Sequence, residues 1–211
     1  MARTSRSRRG ERGTSLIEFA FCLVLFWLPL VLGMLVIGFN LIRAVQVTQV
    51  ARDAGHMYAN GINFAQSTYQ NLLVSLAIGL NMTATGGNGV VILSTVMYVD
   101  SAACTAGGYT TSNCPNYNTF VFTNRVVVGN SGLHSSSLGA PVSTELDSNG
   151  NVSQAGQLTD TKNQVSGFTS IIPAPSSGSE FAYVSEMFVR STDTSWAAFL
   201  STPTINARSI F

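Results

Sequence analysis

The sequence predicts an α+β protein: a long N-terminal transmembrane helix followed by an amphipathic helix and an antiparallel β-sheet head. Three observations predict it. Phe19 to Phe39 runs for 21 residues without a formal charge. Apolar residues then recur at helical spacing as far as Leu80. Past the breaker Thr85-Gly86-Gly87-Asn88-Gly89, the pattern changes to β-branched runs. In a chain of 211 residues, roughly 45 form leader and spanning helix, which leaves about 150 for one globular body.

The charge-free run is close to the ~20 residues that cross a bilayer as helix and well beyond the ~7–15 of a signal-peptide core, so it reads as an anchor. Ahead of it stand Arg3, Arg6, Arg8, Arg9 and Arg12 against Glu11 alone. The positive-inside rule therefore holds the N-terminus in the cytoplasm and places everything after about Ile42 outside. Glu18 opens the run. An acid in hydrocarbon costs several kcal/mol, ~2.5–3.5 on insertion scales, and this one calls for a positive partner. Pro29 lacks an N–H and predicts a kink or local melting, with Gly33 and Gly38 adding softness. Cys22 reads as a small residue of the apolar helix.

Val47, Val50, Ala51, Ala54, Met57 and Tyr58 form an amphipathic extension of the anchor, with Arg52 and Asp53 on its polar side. Gly55 and the Asn60-Gly61 pair mark where it should weaken or end. Ile62, Ala65, Tyr69, Leu72, Leu73, Leu76, Ala77 and Leu80 predict a second helix with one core face. Val90–Val99 and Thr119–Val128 predict two strands that pair antiparallel. The loop joining them holds Cys104 and Cys114, and in an oxidising compartment these should form a disulfide. No metal site is expected, since neither His56 nor His134 has ligand-like spacing to the cysteines.

From Asn130 to Ser153, 13 of 24 residues are Ser, Gly or Asn. That composition predicts a loop with a variable surface and a place for contacts. Asp147-Ser148-Asn149-Gly150-Asn151 resembles a calcium loop superficially, but its sixth position is Val152 and its twelfth Leu158. Ile171 to Gly178 reads as a connector. Phe181–Arg190 returns to strand character, with Phe181, Tyr183, Met187 and Val189 on an apolar face and Glu186 and Arg190 on a solvated one. Trp196, Phe199 and Leu200 should pack a following segment onto the sheet, and Thr204 to Phe211 should return as a short strand.

Gly13, then Thr14-Ser15-Leu16-Ile17, then Glu18 and a long apolar helix resemble the prepilin cleavage motif of type IV pilin-like proteins. Within that superfamily the chain most resembles the TadE-like minor pilins of the tight-adherence (Flp) pilus, whose leaders are similarly Arg-rich. A strand bearing an acid near Glu186 is also similar to those proteins. The resemblance implies that a prepilin peptidase cuts after Gly13 and frees the amine of Thr14, with Glu18 pairing a neighbouring amine during assembly. Thr14 departs from the hydrophobic or aromatic first residue common in major type IV pilins. The implied partners are the peptidase, other pilin subunits, the inner-membrane assembly platform and the membrane itself.

Beyond Gly13, six basic side chains face nine acidic ones, a balance of −3, and no basic patch remains for nucleic acid. Catalysis has little support: no Gly-x-Ser-x-Gly elbow accompanies His134, and phosphate-loop and dinucleotide motifs are absent from the sequence. No catalytic residue, cofactor or metal is expected. The expected organisation is a basic leader at 1–13, a transmembrane and extended helix at 14–60, and an extracytoplasmic α+β head at 61–211. The expected function is that of a structural minor pilin or pseudopilin of a Tad/Flp-type surface pilus for adhesion. It would start as a single-pass protein of the bacterial inner membrane and end in an extracellular pilus or the periplasm. The alternatives are a minor pseudopilin of a type II secretion system and an uncleaved single-pass envelope protein with a binding domain.

Overall fold

Burying the helical stripe from Val47 to Tyr58 is what organises the head. The computed structural model describes residues 11–175, 180–191 and 204–211. It divides into two compact units, the first ending at Ile42 and the second running from Arg43 to Phe211. Helix α1 (Glu11–Cys22), a π-helical turn (Leu23–Trp27) and helix α2 (Leu28–Ala59) follow one another directly. Leu28 N–H bonds the Leu23 carbonyl five residues back. The expected effect of Pro29 is thus taken up by a widened turn immediately before it, where the helix ladder accommodates the missing donor.

Within the second unit, Val47, Val50, Ala51, Ala54 and Tyr58 of α2 are buried, and Met57 is partly so. Gly55 does not weaken the helix, contrary to expectation. A Cβ there would run into the ring of Phe211, so the glycine admits that ring, whose centroid lies 4.2 Å from that of His56 at a tilt of 49°. The helix ends at Ala59, at the Asn60-Gly61 signal.

The second helix, α3, is shorter than its apolar stripe: it spans Ser67–Leu76, and Ile62 and Ala65 fall in the turn before it. Leu73, Ala77 and Leu80 are buried, whereas Leu72 and Leu76 stay 43% and 39% exposed. The sheet is met only by the narrower row. Phe64, fully buried in the preceding turn, joins the same core.

After a short ladder of β1 (Met82–Thr83) and β2 (Gly86–Gly87), four strands form the main sheet: β3 (Gly89–Tyr98), β4 (Phe120–Gly129), β5 (Phe181–Arg190) and β6 (Thr204–Ile210). They are ordered β4-β3-β5-β6, all antiparallel. The β3–β4 pairing and the final strand agree with expectation. Val91, Leu93, Met187 and Val189 lie on the face that packs against α2 and α3. Trp196, Phe199 and Leu200 lie outside the described residues.

The opposite face is also buried, and this corrects the reading of the Ser/Gly/Asn-rich segment as variable surface. It is irregular, as composition dictates, but with the stretch that follows it forms a cover: Leu138 and Val152, then Val165 and Phe168, pack onto Val96, Phe120, Phe122 and Val184. Its backbone also binds the outer edge of β4: Arg125 N–H donates to Gly150 O at 2.8 Å and Val165 N–H to Phe120 O at 2.8 Å. Covering an edge this way removes a template for unwanted pairing. Two fully buried asparagines clamp the cover. Asn116 donates to the Gln157 and Asp160 carbonyls, and Asn163 donates to Gly156 O while accepting from Val142 N–H.

Glu186 corrects a second expectation. It is 1% exposed, on the covered face of β5, whereas Arg190 is exposed. The β5–β6 register sets Arg208 opposite it, and the guanidinium bonds the carboxylate at 2.5 and 3.0 Å, with the Ser136 hydroxyl donating to the other oxygen. Strand alternation cannot reveal this burial, because the countercharge arrives 22 residues later. A buried charge requires such pairing. Nearby Arg125 is buried too, its guanidinium 4.6 Å over the Phe122 ring and bonded to Gly139 O. Burial pushes its pKa down to about 10, against the opposing pull of Glu186, so it stays charged at neutral pH.

Cys104, in the short helix α4 (Ser101–Ala106), and Cys114 are joined by a disulfide within the β3–β4 connection.

Removing Arg208, whose side chain is 32% exposed, strands the buried Glu186 carboxylate. Arg208→Ala should therefore lower stability by about 3 kcal/mol in chemical unfolding. Replacing Glu186 and Arg208 together by leucine should recover a large part of that loss.

Candidate functional site

The residues singled out for processing and assembly lie at the start of the long helix. Gly13 and Thr14 fall within the helical backbone of α1. Glu18 follows one turn later and is exposed among outward-facing Leu16, Ile17 and Phe19, which are 72%, 60% and 68% exposed. Among the described residues Glu18 has no hydrogen bond or ion pair. From here to Ile42 the large apolar side chains stay exposed around the helix, Trp27 at 62% and Ile42 at 57%. So much apolar surface on every side of one helix is foreign to water. The helix from Ser15 to Ala59 is long and apolar enough to cross a membrane.

Residues 13–56 match the family described as TadE-like protein. No curated protein and no solved structure matches the chain. The TadE-like segment therefore holds Gly13, Thr14, Glu18, the whole charge-free run and the first four buried positions of the head, through Ala54. The disulfide lies outside it.

His134 stacks flat on Phe188 at 4.1 Å, with Nδ1 2.6 Å from the Ser135 carbonyl. Glu186, on the same side of the sheet, is committed to Arg208 and Ser136. Among the described residues no three His, Cys, Asp or Glu side chains stand together as a metal site. The Asp147 carboxylate is held by its own turn. It accepts from Asn149 N–H, Asn151 N–H and the Asn151 side chain, each at 2.8 Å, and these bonds, led by that of the Asn151 side chain, lower its pKa.

Sequence reasoning missed a second feature. Where α2 ends, its sheet face changes character: Leu93 and Val126 give way to Thr95 and Asn124. Above them opens a cleft of about 570 Å³, bounded by Asn63, Asn149, Gln157, Phe181 and Tyr183. Tyr58 anchors its floor. Its hydroxyl donates to Asn124 Oδ1 at 2.6 Å and accepts from Thr95 Oγ1 at 2.9 Å, while its ring meets that of Tyr183 edge-on at 5.7 Å. The turn at 147–151 closes one side. There Gly150 adopts φ 80°, and a Cβ would strike the Arg125 carbonyl, so only glycine lets the turn lie against β4. No local motif joins these residues, because they come from five separate segments.

Burial raises the Tyr58 pKa from 10.0 to about 12, with the Thr95 bond opposing the shift. A raised phenol pKa means that the unfolded chain loses its proton first. The associated stability is complete below pH 10 and is lost as the pH rises toward 12, about 2–3 kcal/mol in all. Unfolding measured across that range should show wild type losing stability relative to Tyr58→Phe by this amount.

Proposed function

We propose that the chain is a minor pilin of a Tad-type pilus, anchored in the inner membrane, cut after Gly13 and assembled into a surface filament that mediates attachment. The observation that carries this reading is Glu18. It stands five residues beyond Gly13, inside the segment matching the TadE-like family, without a partner in its own chain among the described residues. Hydrolysis of the Gly13–Thr14 peptide bond would leave a carboxylate on the leader and an amine on Thr14. Gly13 suits that step because it has no side chain to obstruct the backbone and costs a helix about 1 kcal/mol, which eases unwinding of the first turn.

The new amine and the acid then have complementary needs. In an assembly that excludes water, each charge is expensive alone and acceptable when paired with the other across two subunits. The carboxylate also suits the positive end of its helix. Assembly would cover the exposed apolar side chains of the helix with those of its neighbours, and the head, closed by its disulfide, would be displayed outside the membrane. The five leader arginines favour an N-terminus held in the cytoplasm, which puts the Cys104–Cys114 pair on the oxidising side.

Peptide mass analysis of protein from native membranes should give Thr14 as the mature N-terminus. Gly13→Leu should abolish the cut, and Glu18→Ala should leave insertion and cutting intact but lower incorporation into filaments tenfold or more. A mature protein that keeps its leader would instead be an uncleaved envelope protein.

A further inference from the structure

The cleft beyond the end of α2 has a composition that assembly does not explain. Among the described residues its lining carries no formally charged side chain: amides from Asn63, Asn124, Asn149 and Gln157, hydroxyls from Thr95 and Thr123, and the rings of Phe181 and Tyr183. Its volume of about 570 Å³ lies in the range of small-ligand sites. We propose that this cleft binds a neutral saccharide, the hexose or N-acetylhexosamine units of a surface polysaccharide. The inference deepens the attachment reading given above, and depends on it only for the placing of the head outside the cell.

Three features select this chemistry. First, a sugar hydroxyl both donates and accepts, and so does each side-chain amide, whereas a charged ligand would be buried here without a counter-ion. Unused capacity is available: among the described residues the Tyr183 hydroxyl, the Gln157 carbonyl oxygen and the Asn149 side-chain nitrogen make no hydrogen bond. Second, Phe181 is 55% exposed at the cleft rim. An aromatic ring held there offers an apolar platform to the C–H face of a pyranose, next to Tyr183, whose ring is apolar and whose hydroxyl is free to bond. Third, the polar groups are held in place before any ligand arrives. Asp147 fixes the turn that presents Asn149 and Asn151, Asn149 Oδ1 accepts from Asn63 at 3.0 Å, and Asn124 donates to Asn151 Oδ1 at 2.7 Å. Groups already ordered lose little freedom on binding.

The test uses the full chain in lipid nanodiscs, so that no glycoside detergent competes, titrated calorimetrically with cellotetraose, chitotetraose and, as an anionic control, sialyllactose. Saturable binding of one of the two neutral tetrasaccharides, weakened tenfold or more by Phe181→Ala and by Tyr183→Phe with the circular dichroism unchanged, supports the proposal. Both substitutions are at partly or well exposed rings, and Tyr183→Phe keeps the ring contact to Tyr58. No binding of either tetrasaccharide at about 10 mM, binding indifferent to both substitutions, or equal binding of sialyllactose overturns it. Cleavage at Gly13 and filament incorporation of the same wild-type and variant chains are scored separately in cells. If they persist while saccharide binding is absent, the cleft proposal alone fails. If they are absent while saccharide binds, it is the pilin reading that fails.

Discussion

The burial of one helix governs this molecule, because two successive stretches of that helix demand different surroundings. From Leu16 to Ile42 large apolar side chains are exposed on all sides, a surface suited to lipid or other apolar helices. From Val47 the apolar residues contract to a stripe, and the sheet face of Val91, Leu93, Met187 and Val189 covers it. The head is therefore built around the end of its own anchor. Val47, Val50, Ala51 and Ala54 contribute to its core directly, so the helix cannot be removed at residue 60 without opening the fold.

The sheet needs cover on its second face as well, and the chain supplies it without regular structure. Leu138, Val152 and Phe168 provide the apolar contacts, and the buried amides of Asn116 and Asn163 satisfy carbonyls that helix or strand would otherwise have paired. Under this cover lie two charges, Glu186 and Arg125, and Arg208 reaches Glu186 from the exposed strand β6. The bonds of Glu186 and Arg125 fix which loop residues meet which strands, since Ser136 bonds the acid and Gly139 accepts from Arg125.

Elements with strong periodicity could be read directly from the chain. The stripe at Val47 to Tyr58, the β-branched run of β3 and its antiparallel partner all follow from local pattern, because burial there repeats with the backbone's own period. What escaped depends on register and long-range approach. Glu186 looked solvated because its partner Arg208 is brought opposite only by β6. Gly55 looked like a helix breaker because nothing nearby in sequence announces the ring of Phe211. The Asn130–Ser153 segment looked like free surface because its few anchors are outnumbered by polar residues. Of the candidate site, the glycine, the threonine and the acid were visible as a linear motif, and the cleft was invisible because Tyr58, Asn63, Asn124, Asn149 and Phe181 are joined only by folding.

We propose that Glu18 is tolerated at the edge of hydrocarbon because another subunit brings it a positive charge. Zero-length carbodiimide coupling of assembled filaments, followed by mass spectrometry of mixed isotope-labelled subunits, tests this contact directly. The account predicts an amide bond between the Glu18 side chain and the terminal amine of a different pilin chain. Filaments in which Glu18 couples to no amine, or only to one within its own chain, would contradict it.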